Sequence, residues 1–177
     1  LRPLVQDDCQ YVCRWMTSAY MLQHSFVVAG ATTLPHDFGT KEYAKRYFDQ
    51  LLNDQKRVSF AIIFDDQPIG SIGLKDISKE RASAECYIEI GEKNRRGLGL
   101  GSLAMSKILN HAFFELLLNR IDLEVLEFNF PALKMYQRLG FISHGTSCWH
   151  YDEFGQYWRV LRMTMSRATW RQCRPAA

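Results

Sequence analysis

Residues 84–104, AECYIEIGEKNRRGLGLGSLA, restrict the possible folds more than any other stretch of this chain. The stretch opens as an alternating strand, with Cys86, Ile88 and Ile90 on one face and Glu85, Tyr87 and Glu89 on the other. Two arginines follow, Arg95 and Arg96, and then glycines at alternate positions, Gly97, Gly99 and Gly101. A helix is expected directly afterwards, because Met105, Ile108, Leu109, Ala112, Phe113, Leu116 and Leu117 keep the i, i+3, i+4 spacing of one apolar face. A glycine loop entering a helix N-terminus is suited to holding phosphate. Without Cβ atoms the backbone N–H groups can approach a ligand, the first helical turn leaves such groups unpaired, and nearby arginines add charge-assisted hydrogen bonds.

Three phosphate loops have to be told apart. A Walker loop requires Lys-Ser or Lys-Thr after its last glycine, and none is present. A dinucleotide fingerprint is formally met by Gly99, Gly101 and Ala104, with Asp122 and Glu124 downstream. Against it, the charged run from Glu92 to Arg96 separates strand from glycines, the strand alternates, and the remaining chain is short for further parallel units. The third pattern, [QR]-x-x-G-x-[GA], is met by Arg96, Gly99 and Gly101. It resembles the pyrophosphate loop of the GNAT acetyltransferase superfamily, whose members bind acetyl-coenzyme A. A bare strand-to-helix turn is the alternative, but a turn needs one glycine.

A second stretch strengthens the resemblance. In residues 123–141, LEVLEFNFPALKMYQRLGF, a strand leads to Asn129, a short helix, Tyr136, and Gly140-Phe141, the order and spacing of the C-terminal GNAT signature. The resemblance spans roughly residues 2–170, is strongest over 84–141, and is closest to the branch containing acetyltransferases of ribosomal-protein N-termini, spermidine and amino sugars.

The resemblance implies an α/β domain occupying residues 1–177, with a mixed, mostly antiparallel twisted sheet flanked by helices and an acetyl-CoA cleft beside the central strand. It implies transfer of acetyl from the thioester to a primary amine of a small molecule or peptide N-terminus. The pantetheine arm would pair with the strand edge at Ile88, Glu89 and Ile90, and a backbone N–H near Ile90 would face the oxyanion. The pyrophosphate would sit on Arg95, Arg96, Gly97, Leu98, Gly99, Leu100, Gly101 and Ser102. Asn129 would hydrogen-bond the arm, and Tyr136 would protonate the leaving thiolate. Free alkyl amines have pKa values near ~10, so a carboxylate is needed to take a proton. Glu124 matches a family base position, and Glu85 is its rival. A plain helix cap for Asn129, a core aromatic for Tyr136 and a solvent-facing or ion-paired strand residue for each glutamate are the alternatives. Two rival functions remain: an acyltransferase using a longer acyl-CoA, and a non-catalytic CoA-binding regulator. A homodimer is compatible with the resemblance.

The rest of the chain is read in that frame. Its 177 residues suit one compact domain, and the net charge of +3 gives no indication of nucleic-acid binding. No apolar run approaches the ~20 residues of a membrane span, and no signal peptide is visible, although the chain opens at Leu1 without a start methionine. Five cysteines form no disulfide framework and point to a reduced, cytoplasmic protein. His144, Cys148 and His150 share a strand face without zinc spacing, so no metal is expected. Residues 1–5 are expected to end a first strand. Asp7 or Asp8 caps a helix carrying Cys9, Val12, Cys13 and Met16, with the two cysteines as buried thiols. Residues 17–39 form a long loop in which His24, His36 and Asp37 are cleft candidates, a solvated loop being the alternative. Thr40 opens a helix, residues 58–64 and 69–74 are strands joined by a turn at 65–68, and 121–125 is another strand. A hairpin with arms at 145–151 and 157–165 closes the fold, and the polar tail from Thr169 is expected to fray.

Overall fold

The computed structural model describes residues 1–19, 36–151 and 156–173. Its centre is a seven-stranded sheet in the order β1-β2-β3-β4-β5-β7-β6, with β1 at Arg2–Pro3, β2 at Val58–Phe64, β3 at Gln67–Ser78, β4 at Ser83–Ile90, β5 at Arg120–Leu126, β6 at Ile142–Tyr151 and β7 at Tyr157–Ser166. Every neighbouring pair is antiparallel except β4 and β5, which run parallel. The helices are α1 (Cys9–Met16), α2 (Lys41–Asn53), α3 (Leu100–Asn110), α4 (Phe130–Leu139) and α5 (Arg167–Cys173). This is the expected mixed, mostly antiparallel sheet, and it excludes a doubly wound dinucleotide fold, whose sheet is mostly parallel.

Local chemistry accounts for the joints. Asp65 and Asp66 both take positive φ, 50° and 58°, which is the turn that matches strand twist in a two-residue hairpin. Thr40 Oγ1 accepts from Tyr43 N at 3.1 Å to cap α2. Asn129 Oδ1 accepts from Ala132 N at 3.3 Å to cap α4, and Gly140 ends that helix at φ 96°. Asp8 stands at the cap position of α1 without capping it. Its buried carboxylate instead takes both Arg2 guanidinium nitrogens at 2.8 Å and the Val5 N–H at 2.9 Å, tying β1 to α1.

The larger core lies between the sheet and α3, α4 and α5, around Ile72, Met105, Ile108, Phe113, Ile121 and Met163. A second cluster, with Val12, Trp15, Tyr47 and Phe48, is formed by α1 and α2, and Tyr87 packs against it from β4. Cys9 and Cys13 are half-buried free thiols with their sulfurs 3.6 Å apart.

Besides the absent Asp8 cap and the two cysteines, which are half-buried where buried thiols were expected, two further expectations need correction. The apolar face of α3 does not continue to Leu116 and Leu117, which are 36% and 65% exposed. The helix widens into a π turn at His111–Glu115 and ends at Leu116, and Leu117 then turns the chain at φ 55°, so that Leu118, beyond the helix, is the leucine that enters the core. Nor does the chain fray from Thr169. Trp170 on α5 is fully buried, and its Nε1 donates to Asn110 Oδ1 at 2.9 Å, closing the hydrogen-bonding demand of both groups.

Candidate active site

The parallel ladder between β4 and β5 covers only Ser83–Arg120, Ala84–Ile121 and Glu85–Asp122. Beyond it β4 follows β3 as far as the Gly70–Ile90 pair, while β5 follows β7 as far as Leu126–Val160. The two strands therefore part, and a cavity of about 490 Å³ opens in the wedge between them. Backbone groups at Ile88 and Ile90 on the β5 side have no strand opposite them.

Most sequence-selected residues meet in this cavity: Glu85, Ile88, Glu89, Ile90, Arg95, Arg96, Gly97, Gly99, Leu100, Gly101, Ser102, Glu124, Asn129 and Tyr136 all line it. Leu98 does not, being 58% exposed on the outside of the loop. Among the loop-region candidates, Asp37 is held by both nitrogens of the Arg46 guanidinium at 2.6 and 3.0 Å, His36 is exposed, and neither lines the cavity. His24 lies outside the described residues. Asp122, the ribose reader of a dinucleotide site, is buried and tied to Arg162, Arg120 and Thr164. His144 lies beside that ion pair rather than in the wedge, and Cys148 packs in a small cluster with Val160 and Trp158.

The glycine loop has the geometry its sequence implies. Gly97 and Gly99 take φ of 75° and 79°, in the left-handed region, and a Cβ built on either would meet nothing within 4 Å. Gly99 is the cap residue of α3 and supplies no side-chain hydrogen bond, so the N–H groups of the first turn face the opening. Gly101 is helical, and its Cβ would point inward, 3.3 Å from Met135 Sδ. The arginines contribute differently from a pair of phosphate clamps. Arg95 donates to Asp65 at 3.0 Å and lies over the Phe64 ring. Arg96 donates from Nε and Nη2 to the carbonyls of Ile90 and Gly91, at 2.8 and 2.9 Å, and so fixes the loop to the end of β4.

The wedge also carries ionisable groups. Tyr136 is 7% exposed on α4, edge-on to Phe141. Burial, and to a smaller degree the nearby Cys86 thiol, hold its phenol well above the ordinary range. Glu85 is raised by burial and pulled back by Lys75, whose Nζ lies 2.7 Å from Oε1. Glu124, across the wedge, pushes it up again. Burial pushes Glu89 up to about 7, against smaller opposing effects of Ser71 and Arg96. Sequence reasoning missed Tyr47, Arg57 and Lys75 as lining residues, and also Lys134 and Arg138 on α4. Only the last two left a signal, an i, i+4 basic pair behind the Asn129 cap.

Residues 1–142 match the acetyltransferase (GNAT) domain family. An uncharacterized N-acetyltransferase p20 of Bacillus licheniformis is 32% identical over 146 residues, covering 82% of this chain and 79% of that protein. The spermidine N(1)-acetyltransferase of Escherichia coli K12 is 26% identical over 163 residues, covering 92% and 83%. A crystal structure of the Vibrio cholerae spermidine N-acetyltransferase, in complex with CoA and spermine, shares this fold with a TM-score of 0.79 at 20% identity, covering 96% of this chain and 95% of that one. With the domain match covering most of its length, this chain belongs to the GNAT acetyltransferase family and is an N-acetyltransferase.

Proposed function

We propose that the chain moves the acetyl group of acetyl-CoA onto a primary amine of a small molecule or a peptide N-terminus. The observation that carries this reading is the wedge between β4 and β5, which brings the Gly97–Gly101 loop and Tyr136 into one opening. A chain of the length of a pantetheine arm can lie along the edge at Ile88 and Ile90, which has no strand opposite it, as an added strand. The pyrophosphate then rests on the N–H groups opening α3, with Lys134 and Arg138 adding positive charge from α4. Asn129 uses Oδ1 as a helix cap and keeps its Nδ2 protons for an amide of the arm. An N–H near Ile90 meets the oxyanion. Tyr136, like any phenol, is protonated at neutral pH, and its burial reinforces that state, so it enters the reaction as a proton donor and not as a base. Glu124 and Glu85 are the carboxylates the sequence nominates for the acceptor proton, and Lys75 already answers the charge of Glu85. The relatives named for spermidine make a polyamine the first acceptor to try, and the dodecamer formed by the Vibrio cholerae enzyme makes self-assembly, from a homodimer upward, a further property to look for.

The test has two parts. Acetyl-CoA at a hundredfold excess over its Kd stabilises the fold by about 2.7 kcal/mol, a rise in Tm of roughly 5 to 10 °C. Free thiol release is then followed with acetyl-CoA and spermidine, an alanine-led peptide and glucosamine. A thermal shift with NAD and none with acetyl-CoA overturns the reading, and so does binding without thiol release from any amine.

A further inference from the structure

One carboxyl in the wedge is explained neither by the cofactor loop nor by Tyr136. Glu89 lies on β4 between Ile88 and Ile90, with its side chain on the face it shares with Tyr87, and it lines the cavity. Its Oε1 is buried, as is the Oγ of Ser71 opposite it on β3; Ser71 is near enough to favour the charged carboxylate, yet neither atom meets hydrogen-bond geometry with any group of the protein. Native proteins satisfy nearly all such atoms, and the exceptions concentrate where a ligand completes them. Glu85, on the same face of the strand, differs in having Lys75 at 2.7 Å. Besides burial, Ser71 from β3 and Arg96 from the loop after β4 act on Glu89, whose charge in turn raises the phenols of Tyr47 on α2 and Tyr87 on β4.

We propose that Glu89 is the residue that binds the acceptor nitrogen and takes its proton. The acceptor ammonium docks on the Glu89 carboxylate where it lines the cavity, with Ser71 free to donate to the buried Oε1, and passes one N–H proton to it. The neutral nitrogen attacks the thioester carbon, its N–C bond forms, and the oxyanion collapses with loss of the C–S bond. The nitrogen gives up its second proton in this step, the thiolate takes one from Tyr136, and the nitrogen's proton restores the phenol. Glu89 returns its proton to water, so ammonium and thioester become amide, thiol and one released proton. A carboxyl titrating at about 7 is half ionised at neutral pH, the condition under which a base works best. The inference rests on the acetyltransferase reading above.

The test is the pH dependence of kcat/KM for acetyl-CoA-dependent thiol release with spermidine, between about pH 6 and 9, in the wild type and in Glu89→Gln, Glu85→Gln and Glu124→Gln. The wild type is expected to level off above about pH 7, as are the latter two variants. Glu89→Gln is expected to fall at least about tenfold at pH 7 and to keep climbing by about tenfold per pH unit, because only the rare neutral amine, with pKa near ~10, then reacts. Ser71→Ala moves the wild-type limb to higher pH by removing a donor to the charged form. Levelling of Glu89→Gln where the wild type levels overturns the proposal, and so does a steep climb found in Glu85→Gln or Glu124→Gln instead. Should Glu89→Gln fail to fold, Ser71→Ala decides, and an unmoved limb overturns the proposal. A wild type silent with every amine defeats the acetyltransferase reading itself, a failure that shows before any variant is made.

Discussion

Gly99 and Gly101 give a paired test of the cofactor loop. Gly99 has φ of 79°, and a Cβ there would meet no protein atom within 4 Å. The protein therefore leaves room for a side chain at a position where its own backbone disfavours one. Alanine in the left-handed region costs about 1–2 kcal/mol, so Gly99→Ala should lower Tm by roughly 2 to 8 °C. Relief of that strain rotates the peptide units at the mouth of α3 away from the opening, and the new methyl stands where phosphate oxygens approach. Loss of one such charge-assisted contact is worth about 1.4 kcal/mol or more, a tenfold weakening of acetyl-CoA binding. Aspartate at the same place adds like charge and should abolish binding in a folded protein. Gly101 contrasts with this: its φ is helical, and its Cβ would face inward, 3.3 Å from the flexible end of Met135. The helix propensity gained by Gly101→Ala, up to ~1 kcal/mol, offsets that crowding, and Tm should move by less than about 3 °C. Acetyl-CoA affinity, read by calorimetry beside the melts, should then fall steeply for Gly99→Ala and little for Gly101→Ala. Equal affinities for Gly99→Ala and the wild type, or the greater loss at Gly101, would refute the placement of the pyrophosphate.

Three further outcomes are expected. Tyr136→Phe keeps the ring against Phe141 and removes only the hydroxyl, so kcat should drop ten- to a thousandfold, about 1.4 to 4 kcal/mol of barrier, with the KM for acetyl-CoA little changed; near-normal kcat in steady-state assays removes Tyr136 from the reaction. Trp170→Ala empties a fully buried site and removes the donor to Asn110 Oδ1, which should cost about 3–5 kcal/mol and roughly 10 °C in a thermal melt, where a frayed tail would show no change. Glu89 binds its proton more tightly folded than unfolded, from 4.5 to about 7, so the folded state is favoured below pH ~4.5 and loses stability as pH rises toward 7, by on the order of 3 kcal/mol; melts of Glu89→Gln should gain on the wild type at pH ~8 and not at pH ~5.

The parts of the site legible in the sequence are those governed by local backbone rules. Alternating glycines announced the left-handed positions at Gly97 and Gly99, and Asn129 and Gly140 announced the two ends of α4. Features decided by packing between distant segments were not legible. The Glu85, Tyr87, Glu89 face of β4 reads as a solvent face, yet α1 and α2 bring their cluster onto Tyr87 and bury the Glu89 carboxyl. Tyr87, between two glutamates, was the one hint of that cover. The π turn at His111–Glu115 is invisible because apolar residues fill 112–114 and 116–118 on both sides of Glu115, so a one-residue slip still leaves an apolar face. Trp170 is a single large residue in a polar tail, and its partner Asn110 is far away in sequence.

The wedge itself follows from competition between ladders. β4 pairs with β3 over almost its whole length, and β5 pairs with β7 from Arg120 to Leu126. Each has one complete antiparallel partner, and the parallel ladder between them lasts only three residue pairs. Strand twist carries the two pairs apart once that ladder stops. Gly70 keeps β4 with β3 at the critical end, because a Cβ there would overlap the Glu89 carbonyl oxygen, and only glycine lets the strands lie that close. The Ile88 and Ile90 backbone on the far side then faces a cavity rather than β5, with hydrogen-bonding capacity that a sheet interior would have consumed. A ligand arm rich in amides can recover that capacity without displacing any protein contact. The same parting of strands brings the glycine loop, with Arg96 fixed to the end of β4, and Tyr136, beside Cys86 farther back along β4, into one opening.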